Sequence, residues 1–146
     1  MPGITNPAEA YFKDGGWSWD GTVWRKQPMM FGYSDRYSEV ESSVNVAAGS
    51  HNLDFTVVPA GEIWVVNAIS ARCSTANPSS ISVLLNLGGN THYLLVQTTV
   101  VAWIPEIALG AFVLKEGDFV RATFAGCSLN DDIYAQASGY KMSIVE

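Results

Sequence analysis

The sequence has few charged residues and lacks the motifs of common enzymes. Only 15% of its 146 residues are Asp, Glu, Lys or Arg, against about 25% in an ordinary soluble domain. Its two histidines, His51 and His92, fall in no HxH or HExxH pattern, so they are interpreted as a turn and a strand residue rather than as metal ligands. GxSxG, GxGxxG and Walker-type loops are absent. We therefore expect a non-enzymatic protein without a cofactor.

The chain also lacks the features of nucleic-acid-binding, membrane-spanning and secreted proteins. The net charge is -6, and Arg25 and Lys26 are the only adjacent basic residues, so no phosphate-binding surface is expected. No run reaches the roughly 18 apolar residues of a membrane span. The opening MPGITNPAEAYF lacks the basic and then apolar order of a secretory signal. We expect neither nucleic-acid nor membrane partners.

The cysteines and the pairs of acidic residues are too few and too far apart in the sequence to indicate a disulfide framework, a catalytic carboxylate pair or a metal site. Cys73 and Cys127 form no CxxC pattern, and two buried free thiols are favoured over a disulfide, which would need their strands to be adjacent. Glu39 with Glu41 is interpreted as a same-face pair on an exposed strand. The NDD turn at 130–132 is the better calcium candidate, although it lacks the further oxygen ligands that a calcium loop supplies.

From residue 37 onward, short runs rich in β-formers alternate with turn-forming clusters, and no stretch is typical of a helix. This spacing and length favour one all-β domain over βαβ units. The eight predicted strands are 37–46, 53–58, 62–73, 80–87, 91–99, 108–115, 118–126 and 132–145. The mixed loop lengths favour a jelly-roll-like two-sheet sandwich of antiparallel strands over an up-and-down barrel. An immunoglobulin-type sandwich is the alternative, but its Cys, Trp, Cys order is missing.

Alternation within the predicted strands indicates which faces are packed. In 118–126, Phe119, Arg121, Thr123 and Ala125 are predicted to point to one side and Val120, Ala122 and Phe124 to the other, with one side packed and the other facing solvent or a partner. In 62–73, alternation makes both faces largely apolar, so the strand is expected to be central or buried at an interface. The two predicted faces are Ile63, Val65, Asn67, Ile69 and Trp64, Val66, Ala68, Ser70. The KEGD turn at 115–118 is expected to place Gly117 at positive φ and to return Phe119 to the core.

Residues 1–30 differ from the rest, because Pro and Gly interrupt them too often for a helix or a long strand. We predict an extended N-terminal arm (1–30) ahead of a jelly-roll domain (31–146). The arm is rich in aromatic residues, and such residues would be a costly exposed patch unless they pack on the domain or on a neighbour. The predicted partner-binding residues are Tyr11, Phe12, Trp17, Trp19, Trp24, Arg25, Asp35 and Arg36.

Three phrases of the sequence resemble small virion proteins of tailed bacteriophages: WDGTVWRKQPMMFGYSDRYSEVE (19–41), VPAGEIWVVNAIS (58–70) and VLKEGDFVRATFAGCSLNDDIYAQASGYKM (113–142). In that group an aromatic arm leads into a jelly roll. The resemblance implies a virion structural protein, either a capsid decoration protein or a tail or fibre component, often trimeric. It implies as partners further copies of itself, the major capsid protein or another virion protein.

Two functional hypotheses follow. In the first, a capsid decoration protein self-associates, as a homotrimer, and docks through its aromatic arm. In the second, a tail or fibre component acts as a host-recognition or carbohydrate-binding module. Its exposed loop candidates are Asn77, Asn90, Thr91 and the 129–133 turn, while the tryptophans of the arm offer an aromatic surface for sugars.

Overall fold

The computed structural model describes residues 17–19, 24–26, 29–30 and 35–145. Every regular element among them is a β-strand. Three short strands come first, β1 (Trp17–Trp19), β2 (Trp24–Lys26) and β3 (Met29–Met30). The strands that follow are β4 (Asp35–Val46), β5 (Gly49–Asp54), β6 (Glu62–Cys73), β7 (Ser80–Leu87), β8 (Asn90–Gln97), β9 (Glu106–Lys115), β10 (Phe119–Cys127) and β11 (Asp131–Val145).

The eight strands from β4 to β11 form two antiparallel sheets. One has the order β5-β10-β7-β8 and the other the order β4-β11-β6-β9, with β3 pairing the end of β11 beyond β4. Strands that follow one another along the chain mostly lie in opposite sheets, which is the connectivity of a jelly roll. The predicted fold class, an all-β jelly-roll sandwich of eight antiparallel strands, is confirmed.

The inward sides of both sheets supply the core, and β10 follows the predicted alternation. Val120, Ala122 and Phe124 are each at most 1% exposed. Gly117 has the expected positive φ, 86°. Phe119, however, is only half-buried and lies on the outward side, so the turn returns Val120 to the core and the prediction for Phe119 is wrong.

The predicted strand 53–58 is misplaced, because β5 ends at Asp54. Phe55 and Val58 are still buried, at 2% and 1% exposure. Their backbone N–H groups donate to the carbonyls of Val120 (3.0 Å) and Asp118 (2.9 Å). The apolar pattern at 53–58 therefore indicates residues buried in the core and not a regular strand. The segment 55–58 runs alongside the start of β10 and is joined to it by these two hydrogen bonds.

β6 has the predicted bounds and the predicted central position, but a β-bulge breaks its alternation. The register against β9 shifts between Val66 and Ala68. As a result Asn67 is exposed and Ile69 joins Trp64 and Val66 in the core cluster. The assignment of Ile69 to the opposite face was wrong because one extra residue at a bulge reverses every later side chain.

The predicted arm contains β1 and β2, which pair as an antiparallel hairpin with Trp19 opposite Trp24. The remainder of residues 1–30 lies outside the described residues apart from β3. An extended arm separate from a domain at 31–146 thus stays a prediction. Within the described ranges, no helix is long and apolar enough to cross a membrane.

Candidate functional site

The surface of the β4-β11-β6-β9 sheet that faces away from the other sheet is here named the outer face. Strand registers arrange its side chains in rows that run across the sheet. The rows are Ser42-Tyr134-Arg72, Val40-Gln136-Ser70-Ile107, Ser38-Ser138-Ala68-Leu109 and Arg36-Tyr140-Val65-Val113. None of these side chains is acidic. In a protein of net charge -6, these rows combine aliphatic, aromatic and uncharged polar side chains, with an arginine in each of the two end rows.

A shallow trough of about 330 Å³ runs through the two middle rows. Small side chains form its floor and longer apolar side chains form its rims. The floor residues are Ser38, Ala68, Ser70, Ser138 and the longer Gln136, and the rim residues are Val40, Ile107 and Leu109; Glu39 and Ala137 complete the lining. Leu109 is 74% exposed and Val40 61%. Strongly exposed apolar side chains on both rims of a trough are typical of a surface that another chain or a ligand covers.

The Arg72 guanidinium lies near two aromatic rings at one end of the outer face. Its central carbon is 5.3 Å from the ring centre of Tyr134 and 5.8 Å from that of Trp103. Among the described residues, no carboxylate lies within salt-bridge distance of Arg72 and none accepts a hydrogen bond from it. The rings thus orient a guanidinium whose N–H groups are available to an external acceptor.

Trp103 owes its position to an unusual backbone conformation. Its φ is 63°, in the left-handed region that bulky residues rarely adopt. Its N–H donates to the Cys73 carbonyl at 2.8 Å, and the residue is 52% exposed. The β8–β9 loop therefore presents a large aromatic side chain next to Arg72. Strained residues of this kind cluster at functional sites.

The outward face of the other sheet is different, because its charged groups are paired. Arg121 forms a two-pronged ion pair with Asp54, with Nη2 to Oδ2 at 2.7 Å. Beside it, the Thr123 hydroxyl donates to Asn52 Oδ1 at 2.9 Å. These groups satisfy one another, and the exposed apolar side chains of this face are Tyr93 and Val96 on β8, at 65% and 54% exposure.

A cluster of aromatic and charged groups lies where the chain enters β4. The Tyr37 and Trp64 rings are 4.7 Å apart, and the Lys141 ammonium is 4.4 Å from the Trp64 ring centre. Glu39 accepts hydrogen bonds from the Tyr37 hydroxyl (3.0 Å) and from the Thr56 N–H and hydroxyl (2.9 and 2.8 Å). Burial, and then the Glu39 carboxylate, raises the pKa of Tyr37. These contacts tie β4 to the segment after β5.

The predicted partner-binding residues occupy three regions. Tyr11 and Phe12 lie outside the described residues, Trp17, Trp19, Trp24 and Arg25 lie in the β1–β2 hairpin, and Asp35 and Arg36 open β4. Of these, Arg36 belongs to the outer face. Sequence reasoning missed Arg72, Trp103 and Tyr134. The sequence does contain a signal for Trp103. The segment VVAWIP at 100–105 is apolar, whereas a loop between two strands is usually polar.

The loop residues of the carbohydrate-binding hypothesis are not brought together. Asn77 lies beside the 129–133 turn, where its side chain donates to Asp131 Oδ1 at 3.1 Å. Asn90 and Thr91 begin β8 at the opposite end of β7. The eight residues of β7 separate these two groups, a distance of about 23 Å at 3.3 Å per residue.

The acidic turn serves as a structural support. Asp131 is 2% exposed and accepts hydrogen bonds from the Ser128 N–H, the Thr75 hydroxyl and the Asn77 amide. Burial favours protonation of Asp131, but these hydrogen bonds outweigh it and lower its pKa. The calcium reading is therefore not supported, since the carboxylate oxygens are already engaged with donors of the chain.

The histidines and cysteines add no metal centre within the described part of the chain, where no three His, Cys, Asp or Glu side chains gather. His51 lies inside β5 rather than in a turn, with Nε2 2.7 Å from the Ala47 carbonyl. His92 lies in β8, as expected. Cys73 and Cys127 are free and buried, the alternative that the sequence favoured.

No protein-family model matches the sequence, and no curated protein matches it. Among solved structures, the chain is similar to a chain in the acidic stable capsid structure of Helicobacter pylori bacteriophage KHP30. The TM-score is 0.51 and the identity 17%, over 82% of this chain and 99% of that chain. The Drosophila NLP core matches with a TM-score of 0.38 and 12% identity, over 74% of this chain and 98% of that one. At these identities the likeness to the KHP30 chain shows a shared fold, and the weaker match carries no further argument.

Proposed function

We propose that the chain is a bacteriophage virion structural protein, and specifically a capsid decoration protein that self-associates and docks through its aromatic N-terminal arm. The outer face carries this proposal, because exposed apolar rims around a floor of small residues suit burial in an assembly. The low charged fraction, 15%, points the same way. The jelly roll shared with the KHP30 capsid-structure chain supports a place in a virion.

The arm acts as the anchor in this proposal. In the β1–β2 hairpin, Trp19 is opposite Trp24 and Trp17 is opposite Lys26. Residues two apart on a strand, and residues directly opposite one another, share a face of a β-ribbon. The three tryptophan positions thus lie on one face of the ribbon. Clustered large aromatic residues dominate the energetics of protein interfaces, while Arg25, Asp35 and Arg36 are proposed to add polar contacts.

The proposed partners are further copies of this chain, as a homotrimer, and the major capsid protein or another virion protein. Neither nucleic acid nor a membrane is a partner in this proposal, and no catalytic step is assigned. The proposed location is the virion, with the sandwich at the particle surface and the arm in contact with the protein beneath it.

The proposal is tested with purified full-length protein and a variant in which Trp17, Trp19 and Trp24 are all replaced by Ser. Light scattering should give three times the 15.8 kDa of one chain for the full-length protein. Immunogold labelling of phage particles should decorate the capsid, and the variant should fail to rebind stripped particles. Equal rebinding by the variant would refute the anchoring role, and labelling confined to the tail would refute the decoration role.

A second candidate, a carbohydrate-binding module of a tail or fibre, is favoured by one observation. The exposed Trp103 ring lies 5.9 Å from the Tyr134 ring at a tilt of 31°, an aromatic surface of the kind on which sugar rings stack. A glycan array with full-length protein tests this candidate. Binding that is lost in Trp103→Ala would support it, and an array without binding would exclude it for the glycans displayed.

A further inference from the structure

We propose that the outer face is the docking surface for residues 8–14, AEAYFKD, of a second copy of this chain. One aromatic side chain of the segment fills the trough, and a carboxylate two residues away binds Arg72. This inference rests on the proposed self-association and deepens it, because it names the segment and the surface that join one copy to the next.

The apolar part of the match comes from the trough. Its rims, Val40 on β4 and Ile107 and Leu109 on β9, stand on the outermost strands of the sheet. The floor between them consists of small residues apart from Gln136 on β11. Three strand intervals at about 4.8 Å make the trough about 14 Å wide. A phenyl or phenol ring fits this space, and Tyr11 and Phe12 are the aromatic residues that precede β1.

The spacing of charges supplies a second and independent match. On β6, Arg72 is two residues beyond Ser70 on the trough floor, and two residues on a strand span about 6.6 Å. In the segment, Glu9 is two residues before Tyr11 and Asp14 is two residues after Phe12. Either pair places its aromatic and acidic side chains on the same side of an extended backbone at this spacing.

Arg72 is prepared for such a carboxylate. Among the described residues it has neither an ion-pair partner nor a hydrogen-bond acceptor, and the rings of Trp103 and Tyr134 hold its guanidinium within 6 Å. Arginine binds carboxylates in a two-pronged geometry that benefits from a fixed guanidinium plane. The outer-face rows contain no acidic side chain. The carboxylates nearest to them are Glu39, which lines the trough, and Asp132, which accepts a hydrogen bond from the Asn45 N–H at 2.8 Å.

The segment has enough length to reach a second copy. Tyr11 is six residues before Trp17, where β1 begins, so an extended chain carries it up to about 20 Å from β1. Each copy then offers one arm and one outer face. Such a head-to-tail contact closes into a ring when each arm binds the next copy, which agrees with the proposed trimer.

The first test compares two full-length variants by sedimentation or light scattering over a range of concentrations. Leu109→Asp places a charge on the trough rim, and Leu129→Asp is the matched control, since Leu129 is 68% exposed but lies in the β10–β11 turn. Leu109→Asp should raise the dissociation constant at least about tenfold, as the loss of a central interface residue does. Leu129→Asp should leave it within about twofold of the parent. Equal effects of the two variants would overturn the proposal.

The second test exchanges the charges of Arg72 and its proposed acidic partner. If Arg72 had only a structural role, a second substitution in the arm would not restore association. Arg72→Glu should weaken association, and combining it with Glu9→Arg or with Asp14→Arg should restore most of it. Circular dichroism on each variant confirms that the fold is retained. If neither second substitution restores association, residues 8–14 are not the occupant.

A mixing experiment separates a second copy from the chain's own arm. A full-length variant carrying Tyr11→Ser and Phe12→Ser is mixed with full-length Leu109→Asp. The mixture should reach a higher mass than either variant alone, because one has an intact face and the other an intact arm. No gain in mass would overturn docking between copies. If instead the tryptophan variant loses particle binding while Leu109→Asp keeps both mass and particle binding, the proposed function stands and this inference fails.

Discussion

Replacing Asp131 by Ala should be among the most destabilising single substitutions at a polar position of this protein. The carboxylate is buried and joins the loop after β6 to the turn before β11. Oδ1 accepts from the Thr75 hydroxyl (2.8 Å) and the Asn77 amide (3.1 Å), and Oδ2 accepts from the Ser128 N–H (2.8 Å). Alanine leaves all three donors without this acceptor.

The expected loss of unfolding free energy is about 3–4 kcal/mol. A hydrogen bond to a charged group contributes about 1.5–3 kcal/mol, and the three bonds share one carboxylate, so they do not add fully. At about 2–4 °C per kcal/mol, the melting temperature should fall by roughly 10 °C. Asp131→Asn keeps one acceptor oxygen but sets an amide against the Ser128 N–H, and it should lose about 2 kcal/mol.

The pH dependence has a defined sign. The pKa of Asp131 is lower in the folded than in the unfolded chain, so its contribution is complete above the unfolded value of about 3.9 and disappears as the pH falls through the folded pKa. Asp131→Asn should therefore flatten the acid side of the stability curve.

The assay is urea unfolding followed by tryptophan fluorescence, between neutral pH and pH 3. Asp54→Ala serves as the control, because Asp54 forms a surface pair with Arg121 and such pairs contribute at most about 1 kcal/mol. The reasoning would be refuted if Asp131→Ala cost no more than Asp54→Ala at neutral pH.

Two other substitutions or treatments test the structure more simply. Gly139→Ala should lower the free energy of unfolding by more than about 3 kcal/mol, because a methyl group there would overlap the Val65 carbonyl oxygen at the bulge between β6 and β11. As the control, Ser138→Ala at the exposed neighbouring position should change it by less than about 0.5 kcal/mol in the same urea assay. Burial, and then the neighbouring Cys73, raises the pKa of Cys127 to about 11. Cys127 should therefore resist a thiol reagent at pH 8 in the native protein and react in concentrated guanidinium chloride. Rapid labelling of the native protein would contradict its burial.

The strands and the fold class could be predicted from the sequence because the signals are local. β6 and β7 have the predicted bounds, since runs of β-branched residues end at turn residues that interrupt a strand for steric reasons. The bulge at Asn67 could not be predicted, because it depends on how β6 pairs with β9 and leaves no mark on the polarity of the strand itself.

The outer face could not be predicted because its rows join residues far apart in the chain. Val40 and Gln136 are neighbours only through the pairing of β4 with β11. Arg36 was selected as a junction residue, but its membership of the same face as Arg72 follows from register alone. The aromatic residues of the arm indicated one side of the proposed contact. The other side, the outer face, is spread over four strands, and none of these strands has a sequence pattern that distinguishes it from an ordinary β-strand.

The position of β11 in the chain affects how the protein is synthesised. β11 is a central strand, pairing β4 on one side and β6 on the other, yet the ribosome makes it after every other strand of the sandwich. Until residues 131–145 leave the exit tunnel, β4 and β6 have no shared partner, and the apolar strands made earlier stay open to other chains. Folding of the sandwich is thus delayed until its last strand has been made, and pairing of such distant segments is slow. Expression should therefore depend on temperature and on chaperones, because the exposed interval is when nascent chains aggregate.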